Sequence, residues 1–131
     1  MMILKAENID KTYNNSFVDR IYLEKKYPVL NGIDLEVCEG DSICIMGKSG
    51  CGKTTLLKIL GTIDKATHGD VIYNGRNIRR YNDTEISELR RKNIGFVFQD
   101  YNLLDSLSLE ENIMIPMILE NIHAKERQKR L

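Results

Sequence analysis

Apolar and polar residues alternate in two segments near the start of the chain, a pattern typical of half-exposed β-strands. The segments cover residues 2–13 and 30–37, and a period of two places their apolar side chains on one face of a sheet. Between them lies a polar insertion dotted with aromatic residues, at 14–28. Residues 42–46 are apolar on both faces, which predicts a central strand covered on each side.

A helix is expected directly after a glycine-rich stretch. Apolar residues recur at near-helical spacing in residues 53–60, and Gly61 follows as a C-terminal cap. The order is therefore strand, glycine loop, helix. Two more apolar strands are expected at 71–73 and 94–98, with a short helix capped by Asp83 between them. This alternation of strands and helices favours an α/β sheet.

The last part of the chain is predicted to be helical. Ser108 and Glu111 have the spacing of a capping box, which opens a helix through residues 109–118 with a kink at Pro116. A charged segment at 125–130 begins another helix. The turn dipeptide Asn74-Gly75, by contrast, belongs to the strand-rich part.

Composition limits the classes of protein that remain. A chain of 131 residues with 42% apolar residues has room for one compact domain. Nineteen Lys and Arg balance nineteen Asp and Glu, so we expect no nucleic-acid partner, and any anion must be held locally. Three cysteines without a metal-ligand spacing indicate a reduced, cytosolic chain. The longest apolar run, residues 113–119, is far below the roughly 20 residues that cross a bilayer.

The strongest motif lies between the predicted central strand and helix. Residues 47–54 read Gly-Lys-Ser-Gly-Cys-Gly-Lys-Thr, which matches the phosphate-loop pattern of Gly, four residues, Gly, Lys and Ser or Thr. A merely glycine-rich turn is the alternative, but the motif also has the strand before it and the helix after it that a phosphate loop requires. We therefore expect a site for a nucleoside triphosphate.

The residue types of the loop follow from the charge of the ligand. Glycines tolerate positive φ and let the backbone turn its N–H groups towards phosphate, and the helix N-terminus adds its positive end. Lys53 can place its ammonium between the β- and γ-phosphates, Thr54 can coordinate Mg²⁺, and Thr55 can reach the α-phosphate. Cys51 is interpreted as a variable loop residue rather than a reactive thiol. The expected binding residues are Gly47, Ser49, Gly50, Cys51, Gly52, Lys53, Thr54 and Thr55.

Segments on both sides of the loop narrow the family. Residues 89–104 and 109–113, which include Ile94-Gly95-Phe96-Val97-Phe98-Gln99, closely resemble the Q-loop region of ABC-transporter ATP-binding subunits. Residues 9–13, 29–35 and 60–64 fit the same family. The resemblance is to the lipoprotein-release and macrolide or bacitracin export branch. It implies a P-loop NTPase (RecA-like) core with an N-terminal antiparallel β part over residues 1–98. Residues 99–131 would then be the Q-loop and the start of a truncated helical subdomain.

The same resemblance assigns two further site residues. Tyr13 matches the aromatic residue that stacks on adenine, although Phe17, Tyr22 and Tyr27 compete for that role. Gln99 matches the Q-loop glutamine, which ligates Mg²⁺ and positions water. Lys53 and Gln99 are thus the expected catalytic residues, with ATP and Mg²⁺ as cofactors. Apolar residues after Gln99 are candidates for contact with a membrane subunit, or else core residues: Tyr101, Leu103 and Leu104.

Several motifs of the family are not found in these 131 residues. There is no Walker B strand, no Leu-Ser-Gly-Gly-Gln-like signature and no later switch histidine. The resemblance therefore implies the N-terminal part of a longer ATPase, with no turnover expected from this chain alone. The parent protein would hydrolyse ATP as a pair of copies on the cytoplasmic face of the cell membrane, bound to transmembrane permease subunits. The alternatives are a non-hydrolysing nucleotide-binding fragment and a small-molecule P-loop kinase. The cargo is not readable from the residues.

Overall fold

The computed structural model describes residues 1–14 and 26–131. The chain divides into two compact units, Met1–Ser87 and Glu88–Leu131. The predicted boundary at Gln99 comes from the resemblance to the Q-loop and not from the compactness of the units, and it stays a prediction.

The two alternating segments form strands, as predicted, and these strands pair antiparallel. The second strand begins earlier than predicted, inside the segment expected to be an insertion, because it extends the ladder with the first strand. Strand β1 spans Met2–Asn14 and strand β2 spans Lys26–Cys38, with Met2 opposite Cys38 and Tyr13 opposite Tyr27. The register shifts between Ala6 and Ile9, where Asn8 takes a left-handed φ of 48°. Its N–H donates to Asp34 Oδ1 at 2.7 Å, so the side chain of the partner strand satisfies the irregular backbone.

A second hairpin completes the sheet on the other side of β1. Strand β3, His68–Tyr73, pairs with β1, and the short β4, Arg76–Asn77, pairs with β3, which gives the strand order β2-β1-β3-β4. Asn74 and Gly75 have φ values of 47° and 79°, so the turn has two left-handed residues as the Asn-Gly dipeptide predicts. All pairings among the described strands are antiparallel.

The core of this unit lies between the sheet and helix α1, Lys53–Leu60. Leu56, Ile59 and Leu60 share one helix face and are buried, whereas Leu57 on the opposite side is 46% exposed. Burial of each such side chain contributes about 2 kcal/mol, so this stripe anchors the helix to the sheet. The buried cluster consists of Leu4, Ala6, Ile9, Leu30, Leu56, Ile59, Leu60 and Val71.

Two of the predicted strands are absent from the sheet, so those two predictions are wrong. Residues 42–46 and 94–98 are not paired with any described strand. Met46 is 85% exposed and Val97 is 96% exposed. Apolar sequence reports a preference for burial, but a strand also needs a neighbouring backbone for its hydrogen bonds. Cys44, expected in a core or strand, is exposed for the same reason.

The helices after the sheet agree with their predicted starts, with one correction. They are α2, Asp83–Asn93, α3, Leu109–Leu119, and α4, Ala124–Arg130. The cap of α2 is Asn82 rather than Asp83: Asn82 Oδ1 accepts from Glu85 N–H and Glu85 Oε2 accepts from Asn82 N–H, both at 2.9 Å. Asn82 precedes the helix and so has the free backbone geometry that a cap requires.

Helix α3 opens with the predicted capping box. Ser108 Oγ accepts from Glu111 N–H at 3.2 Å, and the Glu111 carboxylate accepts from Ser108 N–H at 2.8 Å. Pro116 lies inside this helix, and a kink there stays a prediction. Within residues 1–14 and 26–131, none of the helices combines the length and apolar character that a bilayer crossing demands.

Tyr73 joins β3 to the end of α1 and gives the unit a pH-dependent contact. Its hydroxyl donates to the Leu60 carbonyl, and burial raises the pKa of this hydroxyl to about 12. The pKa of a tyrosine hydroxyl in the unfolded chain is about 10, so the contribution of this hydroxyl to the free energy of unfolding is complete below pH 10 and is lost as the pH rises towards 12. The upper limit of this contribution is about 3 kcal/mol. We expect Tyr73→Phe to flatten the fall in stability over that range, measured by urea unfolding at pH 8, 10 and 11.5. Parallel losses in the two proteins would contradict this assignment.

Candidate functional site

The loop between residues 47 and 52 is built on glycines that no other residue replaces easily. Gly50 and Gly52 have left-handed φ values of 78° and 98°. A Cβ on Gly52 would lie 2.9 Å from the Val29 carbonyl oxygen and 2.9 Å from Leu30 Cδ2. The loop therefore packs its backbone directly on β2, and the close approach requires the missing side chain.

The start of α1 offers backbone donors to the space above the loop. The Leu56 N–H makes the first bond of the helix, to the Gly52 carbonyl at 2.9 Å. Within the described ranges, no backbone carbonyl accepts from the N–H groups of Lys53, Thr54 or Thr55. These N–H groups carry the positive end of the helix dipole, which attracts an anion.

Lys53 turns its ammonium back over the loop. Lys53 Nζ donates to the Gly47 carbonyl at 2.8 Å and to the Lys48 carbonyl at 2.7 Å, and lies 3.8 Å from Cys51 Sγ. The positive charge is thus held within the loop, next to the helix N-terminus that follows it. A lysine ammonium and helix N–H groups without backbone acceptors are the donors from which a phosphate cradle is built.

Tyr13 lies beside this cradle, in contact with the loop helix. Its hydroxyl donates to Asp64 Oδ2 at 2.8 Å, and the Thr55 hydroxyl also interacts with it. Burial raises the pKa of the Tyr13 hydroxyl and the bond to Asp64 adds to the rise, whereas Thr55 opposes it. The side chain is 42% exposed. One competitor, Tyr27, faces Tyr13 across the ladder, and the others, Phe17 and Tyr22, lie outside the described residues.

Asp64 and Lys11 complete a cluster that the sequence did not single out. Lys11 Nζ donates to Asp64 Oδ1 at 2.8 Å and lies 4.7 Å from the centre of the Tyr13 ring. Burial acts to raise the pKa of the Asp64 carboxyl, but the bonds from Lys11, Tyr13 and the Lys65 N–H together hold it below its usual value. Asp64 lies in a segment that resembles the family, but the sequence assigned it no role. Its partners Lys11 and Tyr13 are more than fifty residues away, so no local pattern indicates these contacts.

Gln99 belongs to the other compact unit, in the irregular segment between α2 and α3. It is exposed, and so are Tyr101, Leu103 and Leu104, so these apolar residues are not core residues among the described part of the chain. Asn112 stabilises the segment, since its Oδ1 accepts from the Leu104 N–H at 2.8 Å and its Nδ2 donates to the Leu104 carbonyl at 3.1 Å. The roles of Gln99 stay predictions.

The site defines the class of the protein, which is a phosphate-loop NTPase. Its defining features are the glycine loop, the N-terminus of α1 and the Lys53 side chain that turns back to the loop. A sequence profile described as ABC transporter matches residues 30–131. The chain belongs to the ABC transporter family, among its ATP-binding subunits.

Similar proteins agree with the class and its branch. The chain is 42% identical over 125 residues to the bacitracin export ATP-binding protein BceA of Halalkalibacterium halodurans, covering 95% of this chain and 47% of that protein. It is 40% identical over 128 residues to the lipoprotein-releasing system ATP-binding protein LolD of Bacteroides thetaiotaomicron, covering 98% and 54%.

A solved structure shares the fold. The ATP-binding cassette MJ0796, in a dimeric post-hydrolysis state bound to ADP and Pi, superposes with a TM-score of 0.84 at 36% identity, over 98% of this chain and 53% of that one. The chain thus spans about half the length of the relatives that it matches.

Proposed function

We propose that this chain binds ATP·Mg²⁺ through residues 47–55 and supplies the first half of an ABC-transporter ATPase that powers export. The observation that carries the proposal is the position of Lys53 at the start of α1, whose ammonium turns back to the loop and donates to the Gly47 carbonyl at 2.8 Å. A polyphosphate of about four negative charges is the ligand that suits such a cradle.

Each site residue then has a part in binding. The backbone of the loop surrounds the β-phosphate, Lys53 bridges the β- and γ-phosphates, Thr55 faces the α-phosphate, and Tyr13 stacks on the adenine ring. The loop residues proposed for this contact are Gly47, Ser49, Gly50, Cys51 and Gly52. Tyr13 is supported over Tyr27 by its contact with Thr55.

The donors proposed for Mg²⁺ fit that ion. Thr54 is exposed in the first turn of α1, and its hydroxyl is a neutral oxygen ligand, as is the side-chain amide oxygen of Gln99. Among the described residues, no cluster of three His, Cys, Asp or Glu side chains could hold a metal by itself. A magnesium ion held by phosphates, water and one or two protein oxygens is consistent with such a set. When bound, the ion would neutralise charge on the phosphates.

The partners proposed for the whole protein come from its relatives. MJ0796 is dimeric in two structures, and BceA and LolD are named for export and lipoprotein release. We infer that two copies assemble around ATP and that permease subunits hold the pair at the cytoplasmic face of the membrane. Gln99 would orient the attacking water, and the exposed Tyr101, Leu103 and Leu104 would contact the permease.

Hydrolysis needs groups beyond this chain. Phosphoryl transfer to water requires an acid that anchors the metal and a group that polarises the attacking water. The Walker B strand and the switch histidine, the motifs named above, are not found in the 131 residues. We therefore propose nucleotide binding without turnover for this chain taken alone. A small-molecule kinase is less well supported, because the family match extends through residue 131.

Calorimetric titration of the natural protein that contains this chain tests the proposal. We expect ATP to bind more tightly with Mg²⁺ than without, and Thr54→Val to weaken ATP·Mg²⁺ binding by roughly tenfold, since a hydroxyl contact to a charged group is lost. Thr84→Val, an exposed threonine in the first turn of α2, is the matched control and should bind as the unaltered protein does. Absence of ATP binding would refute the proposed function.

A further inference from the structure

A buried ion pair surrounds the hydroxyl end of Tyr13. Asp64 accepts from the Tyr13 hydroxyl on Oδ2 at 2.8 Å, and its Oδ1 accepts from Lys11 Nζ at 2.8 Å and from the Lys65 N–H at 2.7 Å. Lys11 Nζ also donates to the Lys65 carbonyl at 2.7 Å. The three bonds made by the Lys11 and Tyr13 side chains link β1 to the residues just after α1.

The burial of this pair makes its geometry specific. The Lys11 side chain is only 11% exposed and that of Asp64 28%. The Lys11 ammonium is largely removed from water and Asp64 is half-buried, so loss of the carboxylate would leave a mostly buried positive charge without its ion pair. Tyr13, bonded to the same carboxylate, is held by the pair rather than by packing alone.

The cluster also selects which face of the Tyr13 ring is free. Lys11 Nζ lies 4.7 Å from the ring centre, in cation–π contact with one face. The side chain is still 42% exposed, so part of it remains accessible to a ligand. The hydroxyl also meets Thr55, the second residue after Lys53. A fixed aromatic face therefore stands next to the phosphate cradle.

We propose that Asp64 is a positioning residue for base recognition, which with Lys11 holds the Tyr13 ring in the orientation that stacks on a nucleobase. The inference rests on the proposed nucleotide site. Asp64 acts through Tyr13 and touches no part of the nucleotide. Its loss should weaken recognition of the base and leave recognition of the polyphosphate unchanged.

The test compares two probes in the natural full-length protein: ATP, and inorganic tripolyphosphate, which lacks a base. Asp64→Asn keeps the shape of the side chain, but it removes the negative charge that pairs with Lys11, and an amide nitrogen facing Tyr13 no longer accepts from the tyrosine hydroxyl. We expect this variant to lower ATP affinity about tenfold, within the range measured for a lost stacking contact, and to leave tripolyphosphate affinity unchanged within about twofold. Tyr13→Ala should give the same pattern, at least as strongly.

Asp70→Asn is the matched control, because Asp70 pairs with Arg79 at 3.1 Å on the exposed side of β3; both affinities should be preserved. An unchanged ratio of ATP to tripolyphosphate affinity in Asp64→Asn overturns the proposal, and so does an equal loss for both probes. If Asp64→Asn does not fold, Tyr13→Phe decides alone: it removes the bond to Asp64 and keeps the ring, and an unchanged ratio counts against the inference. If neither probe binds the unaltered protein, the proposed function itself has failed.

Discussion

Replacing Lys53 with alanine is expected to weaken ATP·Mg²⁺ binding by more than about a hundredfold, the largest functional effect of any single change in this chain. A charge-assisted hydrogen bond to phosphate contributes roughly 1.5–3 kcal/mol, and one ammonium between two phosphates makes more than one such contact. Isothermal titration of the natural protein gives the affinity directly. The melting temperature should change little, because among the described residues the Lys53 ammonium bonds to its own loop, at the Gly47 and Lys48 carbonyls and the Cys51 sulfur.

The matched control is Lys58→Ala, a lysine in the last turn of the same helix. It removes the same charge from α1 but at the end away from the loop, so the affinity for ATP·Mg²⁺ should remain within about twofold of the unaltered value, the scale of a weak surface charge effect. Equal losses in the two variants would reduce the Lys53 effect to net charge. Unchanged affinity in Lys53→Ala would refute its phosphate role.

The largest effect on stability is expected from Gly69→Ala. Gly69 has a φ of 85°, and a Cβ there would stand 2.1 Å from the Asn8 carbonyl oxygen and 2.5 Å from the Asn8 carbonyl carbon. Both atoms belong to the backbone of β1, so they cannot move without disturbing the β1–β3 ladder. We expect a loss of about 3 kcal/mol or more in the free energy of unfolding, from steric overlap added to backbone strain. Urea unfolding at neutral pH measures it.

Gly40→Ala separates these two contributions. Gly40 has nearly the same φ, 87°, but nothing lies within 4 Å of the position of its Cβ. It should therefore lose only the strain of a left-handed residue, about 1–2 kcal/mol. The difference between the variants then measures the close approach of Gly69 to β1. Equal losses would contradict the steric explanation.

The predictions that succeeded rest on local chemistry. The paired strands β1 and β2 follow from alternation, the Asn74-Gly75 turn from its left-handed residues, and the start of α3 from Ser108 and Glu111. Each signal involves residues within a few positions of each other, so the chain carries it wherever the segment lies. The cap of α2 failed by one residue because Asn82 and Asp83 are both good caps, and only the backbone geometry distinguishes them.

The predictions that failed depend on distant partners. Residues 42–46 and 94–98 have the apolar character of buried strands, yet a strand exists only where another backbone pairs with it, and no described strand does so. For Tyr101 the sequence left a core position and a partner surface open, and its 90% exposed side chain excludes the core among the described residues. The apolar pattern indicates that a segment prefers burial, but it does not indicate which segment lies beside it.

The amino-acid sequence alone determined the phosphate-loop motif and the helix after it, because that signal lies in the spacing of eight residues. It also determined the family, through the segments on both sides of the loop. The tertiary structure alone decided that Asp64 and Lys11 meet at Tyr13 and that Gly69 lies against Asn8. Those contacts join residues about fifty to sixty positions apart, and their existence depends on how the strands and the loop helix pack, which no local pattern records.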